Sequence, residues 1–492
     1  MAQRKTSIAR NFSYQLVYQV FAIIVPFVTA PYIARVLGKT NNGIYSYTYV
    51  IVSYFVVFAV LGLETYGNRS IARAKTINQD KINEMFSEIL AVQLSVSLVV
   101  MLGYLFFVFF LTPDYKTILL IQTITLLGSV LDIGWFFFGL EQFRLTSIWN
   151  IIVKIISVTC IFIFVKDYSS LPFYVIITAL ETFLSKAGLW LFVRKYVKIV
   201  RINFLNAFKK HLKPILVLFA AVFATSLYRM VDKLMLGYMV EMGSLGCYEY
   251  ADKIIKAPLA VITALGTVML PRMSVLYANK NMSQEREKLL NLSSKFVLTS
   301  SFAMAFGVAA IAKEFVLIFL SAEYTETIDI LMILCVSLPF MGWNNMVRTQ
   351  ILMPNSKDRV YFIAVWAGAI IDVVLNAILI PVIGTSGAAI ATVLCYAFTS
   401  FGQVIPIEKE FHIVKYLKSA IFPLIIGCIM FAIVRVIGNA MGVHILTLLV
   451  QVIAGAFIYI LLYSICAIFT HDDLGLFIKG KILEKVGKKT HE

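Results

Sequence analysis

Acidic residues are in short supply in this 492-residue chain: 27 Asp and Glu stand against 43 Lys and Arg, a formal net charge of +16. Cysteine is scarcer still. The six (Cys160, Cys247, Cys335, Cys395, Cys428 and Cys466) lie in or at the ends of different apolar runs and never form CxxC. That excludes a dithiol redox motif and leaves them as small packing residues. The five histidines stand singly in loops or tails, so no metal centre and no other cofactor is expected. A phosphate-binding GxxxxGK(S/T) loop is missing, which argues against an ATP-burning pump. No cleavable signal peptide is expected, because the run after Arg4, Lys5 and Arg10 is too long and lacks a small-x-small exit.

What the chain has instead is apolar length. Hydrophobic residues fill 60% of positions. They gather in runs of ~20 residues, enough to cross a ~30 Å hydrocarbon core about fourteen times. The predicted spans are 12–36, 43–66, 85–111, 117–139, 147–165, 171–193, 214–237, 246–270, 292–312, 326–350, 360–380, 387–406, 419–437 and 445–469. Alternate connections are basic: residues 4–10, 69–81, Arg144, 194–213, 272–295, Lys357 with Arg359, 409–418 and 479–489. The opposite set holds only Lys39, Lys116, Lys166 and Lys313. The positive-inside rule then places both termini in the cytoplasm, and the even span count agrees. The basic excess is topological, so no nucleic-acid partner is expected.

The connections on the less basic side are short, the longest being 313–325. A polysaccharide polymerase or membrane glycosyltransferase would need a large outer loop with acidic catalytic residues, and no such loop is present. A channel would need a repeated filter-like loop, also missing. Secondary transport is the class that remains, with no enzymatic activity expected.

Residues 43–72 align with 246–275 at a constant offset of 203: Gly43, Tyr45, Tyr47, Ile51 and Arg69 match Gly246, Tyr248, Tyr250, Ile254 and Arg272. Leu37-Gly38 is echoed by Leu236-Gly237. Six spans separate the copies, so both enter from one side and the repeat is parallel, its pseudo-two-fold axis along the membrane normal. The predicted fold is an all-α integral membrane protein, with two six-helix bundles at 1–193 and 214–406 joined by the basic connection 194–213. An extra helix pair at 407–469 and a basic cytoplasmic tail at 470–492 follow.

Charge inside a span costs ~2.5–3.5 kcal/mol on insertion scales, so intramembrane charges mark water, partners or ligands. The seventh span carries Arg229, Asp232 and Lys233; the eighth carries Glu249, Asp252, Lys253 and Lys256. Arg229 and Lys233 share a helix face, as do Glu249/Lys253 and Asp252/Lys256. Arg229 and Lys256 fall at similar depth, about 12–15 Å from the outer end at 1.5 Å per residue. Two readings fit: i,i+4 pairs that hold helices together, or a hydrated anion site, since four cations meet three carboxylates. Tyr248 and Asp252 would line that cavity. In the first bundle, Asn11, Gln15 and Gln19 form a polar stripe ahead of Pro26 and Pro31, whose freed carbonyls suit a cavity-lining helix. Arg35 lies near the outer end, where snorkelling competes with substrate contact. Asp132, Glu181 and Asp372, the last with Asn376 a turn later, are candidates for ion coupling or for buried structural pairing.

The stretch PFVTAPYIARVLGKTNNGIYSYTYVIVSYFVVFAVLGLETYGNRSIARA at 26–74 resembles the opening of Wzx-type polysaccharide flippases. These belong to the multidrug/oligosaccharidyl-lipid/polysaccharide exporter superfamily. LDIGWFFFGLEQF (131–143), DKLMLG (232–237), GCYEYADKI (246–254) and NAILIPVIGTSGAAIATVL (376–394) extend the likeness into both bundles. The resemblance implies flipping of an undecaprenyl-diphosphate-linked oligosaccharide from the inner to the outer leaflet of a bacterial cytoplasmic membrane by alternating access. It also implies a cationic cavity for the headgroup, membrane lipids as surroundings, and a polysaccharide polymerase and other assembly proteins as neighbours. Arg35, Arg229, Lys233, Lys253 and Lys256 are the expected substrate contacts. The runner-up is an ion-coupled multidrug or cation exporter of the same superfamily, which would favour an acidic cavity; the first span has no carboxylate.

Overall fold

A computed structural model describes residues 2–111 and 114–469, and the basic tail 470–492 lies outside them. Every regular element among the described residues is helical. In lipid this follows from backbone chemistry, since a helix satisfies its own N–H and C=O groups where water is missing.

Two compact units divide the chain, Met1–Gly246 and Cys247–Glu492. The first contains α1 (Ala2–Val60), α2 (Leu63–Lys75), α3 (Gln79–Phe106), α4 (Lys116–Val130), α5 (Gly134–Gly139), α6 (Phe143–Phe164), α7 (Leu171–Ala187), α8 (Trp190–Val193) and α9 (Phe204–Met239). The long α10 (Met242–Ala278) begins there and continues into the second unit. There follow α11 (Ser283–Phe319), α12 (Glu326–Cys335), α13 (Ser337–Val347), α14 (Asp358–Val404), α15 (Glu408–Phe411), α16 (Val414–Leu417), α17 (Ile421–Met441) and α18 (Ile445–Phe469).

Twelve helical segments among the described residues are long and apolar enough to cross a membrane. Two of them are far longer than one crossing requires, at 52 and 54 residues. Each contains non-helical backbone in its interior: Gly38 at φ 71°, and Ile383–Gly384, where Gly384 has φ 58°. Positive φ suits glycine, which has no Cβ to clash. The two turns sit between the first and second predicted spans and between the eleventh and twelfth.

The surfaces of the units are inverted relative to a water-soluble protein. Leu98, Val99, Leu102 and Phe110 stand exposed along the segment Gln79–Leu111. Lipid tails are as apolar as leucine, so helices are held together by close packing and not by burial of grease. Accordingly, the core of the first unit is a set of interlocked rings: Phe86 meets Phe136 at 4.7 Å and Trp135 at 5.6 Å between centroids. In the second unit α11 packs on α17 and α18 through Ala310, Ile426, Met430 and Val434.

Two glycines paired by the 203-residue offset meet each other. A Cβ added at Gly43 would fall 1.7 Å from the Met242 carbonyl oxygen, and one at Gly246 would fall 2.0 Å from that of Lys39. Backbone faces backbone here, so no side-chain rotation relieves the clash. Gly43→Ala is therefore expected to lower the thermal midpoint of the detergent-purified protein markedly, whereas Gly103→Ala, with nothing within 4 Å, leaves it unchanged. Equal midpoints for the two variants would show that the contact is not held this tightly.

Candidate functional site

The fourth crossing is broken in mid-course. Between α4 and α5 the helix ladder lapses over Leu131-Asp132-Ile133, where the Leu131 N–H still donates to Leu127 O at 3.2 Å but the Asp132 N–H turns to Ser129 O at 3.2 Å, and the reason is local. Asp132 Oδ1 accepts the Gly134 N–H at 2.8 Å, an Asx-type bond that competes with the helix ladder. The carbonyls of Val130, Leu131 and Asp132 at the break find side-chain donors. Gln93 Nε2 donates to Val130 O at 3.0 Å and to Asp132 O at 2.9 Å, and Trp190 Nε1 donates to Leu131 O at 2.8 Å. Gln93 Oε1 in turn accepts from Trp135 Nε1 at 2.9 Å. An interrupted helix at membrane depth is tolerated only where protein or a water-filled cavity satisfies it.

A cavity of about 320 Å³ lies beside the break. Tyr49 and Ser53 of α1, Glu64 of α2, Thr125 and Ser129 of α4, and Thr182 and Lys186 of α7 line it together with Asp132. Asp132 Oδ2 holds Lys186 Nζ at 2.5 Å, and the side chains are 18% and 41% exposed. The hydroxyls of Ser53, Ser129 and Thr182 donate back to their own helices. Their lone pairs are thereby left toward the cavity as acceptors. One more ion pair crosses α6 and α7: Lys154 Nζ to Glu181 Oε1 at 2.7 Å, with Ser157 donating to Oε2 at 2.8 Å. Tyr45 stacks on Tyr49 at 5.8 Å and tilts against Tyr174 at 4.8 Å, so Tyr49 presents a supported ring at the cavity wall. Chemically this is a hydroxyl-rich pocket with two carboxylates, one ammonium and an aromatic face.

Of the ion-coupling candidates, Asp132 and Glu181 are thus each tied to a lysine of the same unit. Asp372 lies on α14 in the second unit, 4% exposed, with Asn376 fully buried one turn on. Neither amide atom of Asn376 has a hydrogen-bond partner among the described residues. Arg35 is exposed on α1 beyond Pro31 and is engaged by neighbours. On α9, Arg229 is exposed, while Asp232 and Lys233 are buried and the Lys233 N–H donates to Asp232 Oδ1 at 2.8 Å. On α10, Lys253 pairs with Glu249 at 3.2 Å and Lys256 with Asp252 at 2.6 Å. Tyr248 is buried, its hydroxyl 3.1 Å from Thr392 Oγ1. The side chains of Asn11, Gln15 and Gln19 lie outside the described residues. Sequence reasoning passed over Glu64 and Gln93. A lone amide in the apolar run of α3 was the available signal for Gln93; Glu64 had none beyond its charge.

A second cavity, of about 540 Å³, belongs to the second unit and is apolar. Phe302 and Phe306 of α11, Trp343 of α13, Phe401 of α14 and Phe431 of α17 form its walls, and Ser400 is the one hydroxyl on its lining.

The family model of a polysaccharide biosynthesis protein matches residues 8–277, more than half of the chain. The chain belongs to this family. Among curated members, candidate O-antigen transporters of Escherichia coli strain K12 and of Shigella dysenteriae are similar. They are 24% and 23% identical over 79% and 75% of this chain, and 94% and 92% of their own. Among solved structures, the lipid II flippase MurJ in an inward closed conformation is similar with TM-score 0.75 at 17% identity, over 93% of this chain and 99% of that one. An inward-facing multidrug resistance MATE family transporter of the MOP superfamily gives 0.58 at 14% identity, over 80% and 99%. The family member described here has this transporter fold, and the Wzx-type resemblance read from 26–74 holds.

Proposed function

We propose that the protein flips an undecaprenyl-diphosphate-linked oligosaccharide from the inner to the outer leaflet of a bacterial cytoplasmic membrane by alternating access, with both termini cytoplasmic. The observation that carries this reading is the hydroxyl-lined pocket beside Asp132 in the first unit. A sugar head needs hydroxyl, charged and aromatic partners, and Ser53, Ser129, Thr182, Lys186 and Tyr49 offer them there. The names of the relatives, an O-antigen transporter and a lipid II flippase, support the same substrate class. A drug-exporting reading draws on the lower structural similarity to the MATE transporter.

The diphosphate needs cations. In this reading Arg229 and Lys256, with Arg35, Lys233 and Lys253, supply them, and the carboxylates paired to Lys253 and Lys256 give way when phosphate arrives. A polysaccharide polymerase and other assembly proteins are the proposed partners. The test is flipping of the polyprenyl-diphosphate oligosaccharide in proteoliposomes. Arg229→Ala and Lys256→Ala are each expected to slow transport more than about tenfold, the cost of one charge-assisted contact, without altering the thermal midpoint. Arg229→Lys should fall between, because lysine cannot grip phosphate bidentately. Wild-type rates in both alanine variants would overturn the anion assignment. Failure of the native protein to flip this lipid would overturn the function itself.

A further inference from the structure

His211 is completely buried, yet both of its ring nitrogens are engaged. It lies on α9 within the basic connection, three residues before Pro214. Nδ1 is 2.6 Å from the Tyr66 hydroxyl of α2, and Nε2 is 2.8 Å from Glu88 Oε2 of α3. Lys210 Nζ reaches the same Glu88 oxygen at 2.5 Å. One imidazole therefore ties the start of α9 to two other helices, 145 and 123 residues away in sequence. None of these residues belongs to either cavity.

The protonation state follows from the partners. Nε2 must carry a hydrogen to meet a carboxylate, so in the neutral ring Nδ1 accepts from the Tyr66 O–H. The charge of Glu88 is already met by the Lys210 ammonium. Adding a proton to the ring reverses the Tyr66 bond and places a second cation on a carboxylate that has one, at a fully buried imidazole. The other groups facing the ring do not offset this: Glu84 on α3 is paired with Lys81 at 2.7 Å. The end of α1 meets α9 farther along, through Phe58 against Phe219 and Phe223, and has no charged residue between 40 and 60.

We propose that Tyr66, His211 and Glu88 form an acid-released latch that fixes the start of α9 to α2 and α3. Pro214 cannot donate a backbone hydrogen bond to the Lys210 carbonyl, so the helix has a ready bending point directly beyond the latch. Burial holds the latched ring below the ordinary histidine range, with Glu88 opposing it only in part. A group whose proton affinity is depressed in the closed state favours that state at high pH. The latch is therefore closed above about pH 6.5 and opens as pH falls through the value of the latched ring.

The test uses the full-length protein in lipid nanodiscs. Hydrogen exchange of the first two turns of α9 is expected to quicken about three- to five-fold between pH 8 and pH 5.5, beyond the intrinsic pH effect. His211→Gln keeps an amide donor and acceptor for both partners but cannot charge, and should flatten that dependence. Lys210→Gln, a substitution at a 45% exposed side chain, removes the competing cation and should weaken it while preserving the fold. Carbon-13 NMR of labelled histidine, with His211→Gln identifying the resonance among five, should show a neutral ring at pH 8. A cationic His211 at pH 8, or an unchanged exchange profile in His211→Gln, overturns the latch.

Discussion

Asp132→Ala is expected to reduce glycan export by about ten- to a hundred-fold while the protein still reaches the membrane. Two interactions vanish together. The Gly134 N–H loses its acceptor at the helix break, worth ~1 kcal/mol, and Lys186 loses its counter-ion. Breaking a fully buried pair costs ~3–5 kcal/mol; with Lys186 41% exposed, about 1–2 kcal/mol is the appropriate scale. Each 1.4 kcal/mol is a factor of ten. Asp132→Asn keeps an oxygen for Gly134 but drops the charge, so it should retain more activity than Ala. Lys186→Ala strands the carboxylate, and adding Asp132→Ala to it should recover part of the loss if the two act as a pair. The measurement is surface polysaccharide in a complementation strain, with thermal midpoints of the purified variants alongside. Wild-type export by Asp132→Ala would mean that the polar pocket is not on the substrate path.

Asp372→Asn is expected to uncouple transport from an imposed cation gradient. An inside-negative potential already assists outward movement of an anionic lipid, by ~2.3 kcal/mol per charge per 100 mV. In the proposed cycle, coupling serves to reset the empty carrier. That step needs a site able to load and release a cation, and a carboxylate buried on α14 one turn from Asn376, whose amide has no hydrogen-bond partner among the described residues, has the right chemistry. The wild type should then flip substrate several-fold faster with the gradient than without it. The Asn variant should show one slow rate under both conditions and bind substrate within about twofold of wild type. A wild type indifferent to the gradient, or a variant that keeps the dependence, removes Asp372 from the mechanism.

Much of the functional reading was legible because it rests on short-range terms. The apolar runs add their transfer energies residue by residue, so spans can be counted without knowing what they touch. The pairs Glu249–Lys253 and Asp252–Lys256 follow from helical spacing alone. The breaks at Gly38 and Gly384 fall within the predicted connections 37–42 and 381–386, whereas a glycine inside an apolar run does not by itself tell a turn from close packing. Gly43 is of the second kind.

By itself the sequence determined that this is a many-pass membrane protein, where its apolar segments lie, and which family its opening block resembles. Tertiary structure alone decided which charges meet. Asp132 and Lys186 are 54 residues apart, Lys154 and Glu181 27 apart, and Glu88 and His211 123 apart. It also decided that Gln93 caps a broken helix and that one unit holds a polar cavity and the other an apolar one. The physical reason is that helices in lipid gain little from burying one apolar face over another. No amphipathic stripe announces which side of α4 will face α7, and the choice is made by ring shape, glycine contacts and buried hydrogen bonds that exist only once the helices are packed.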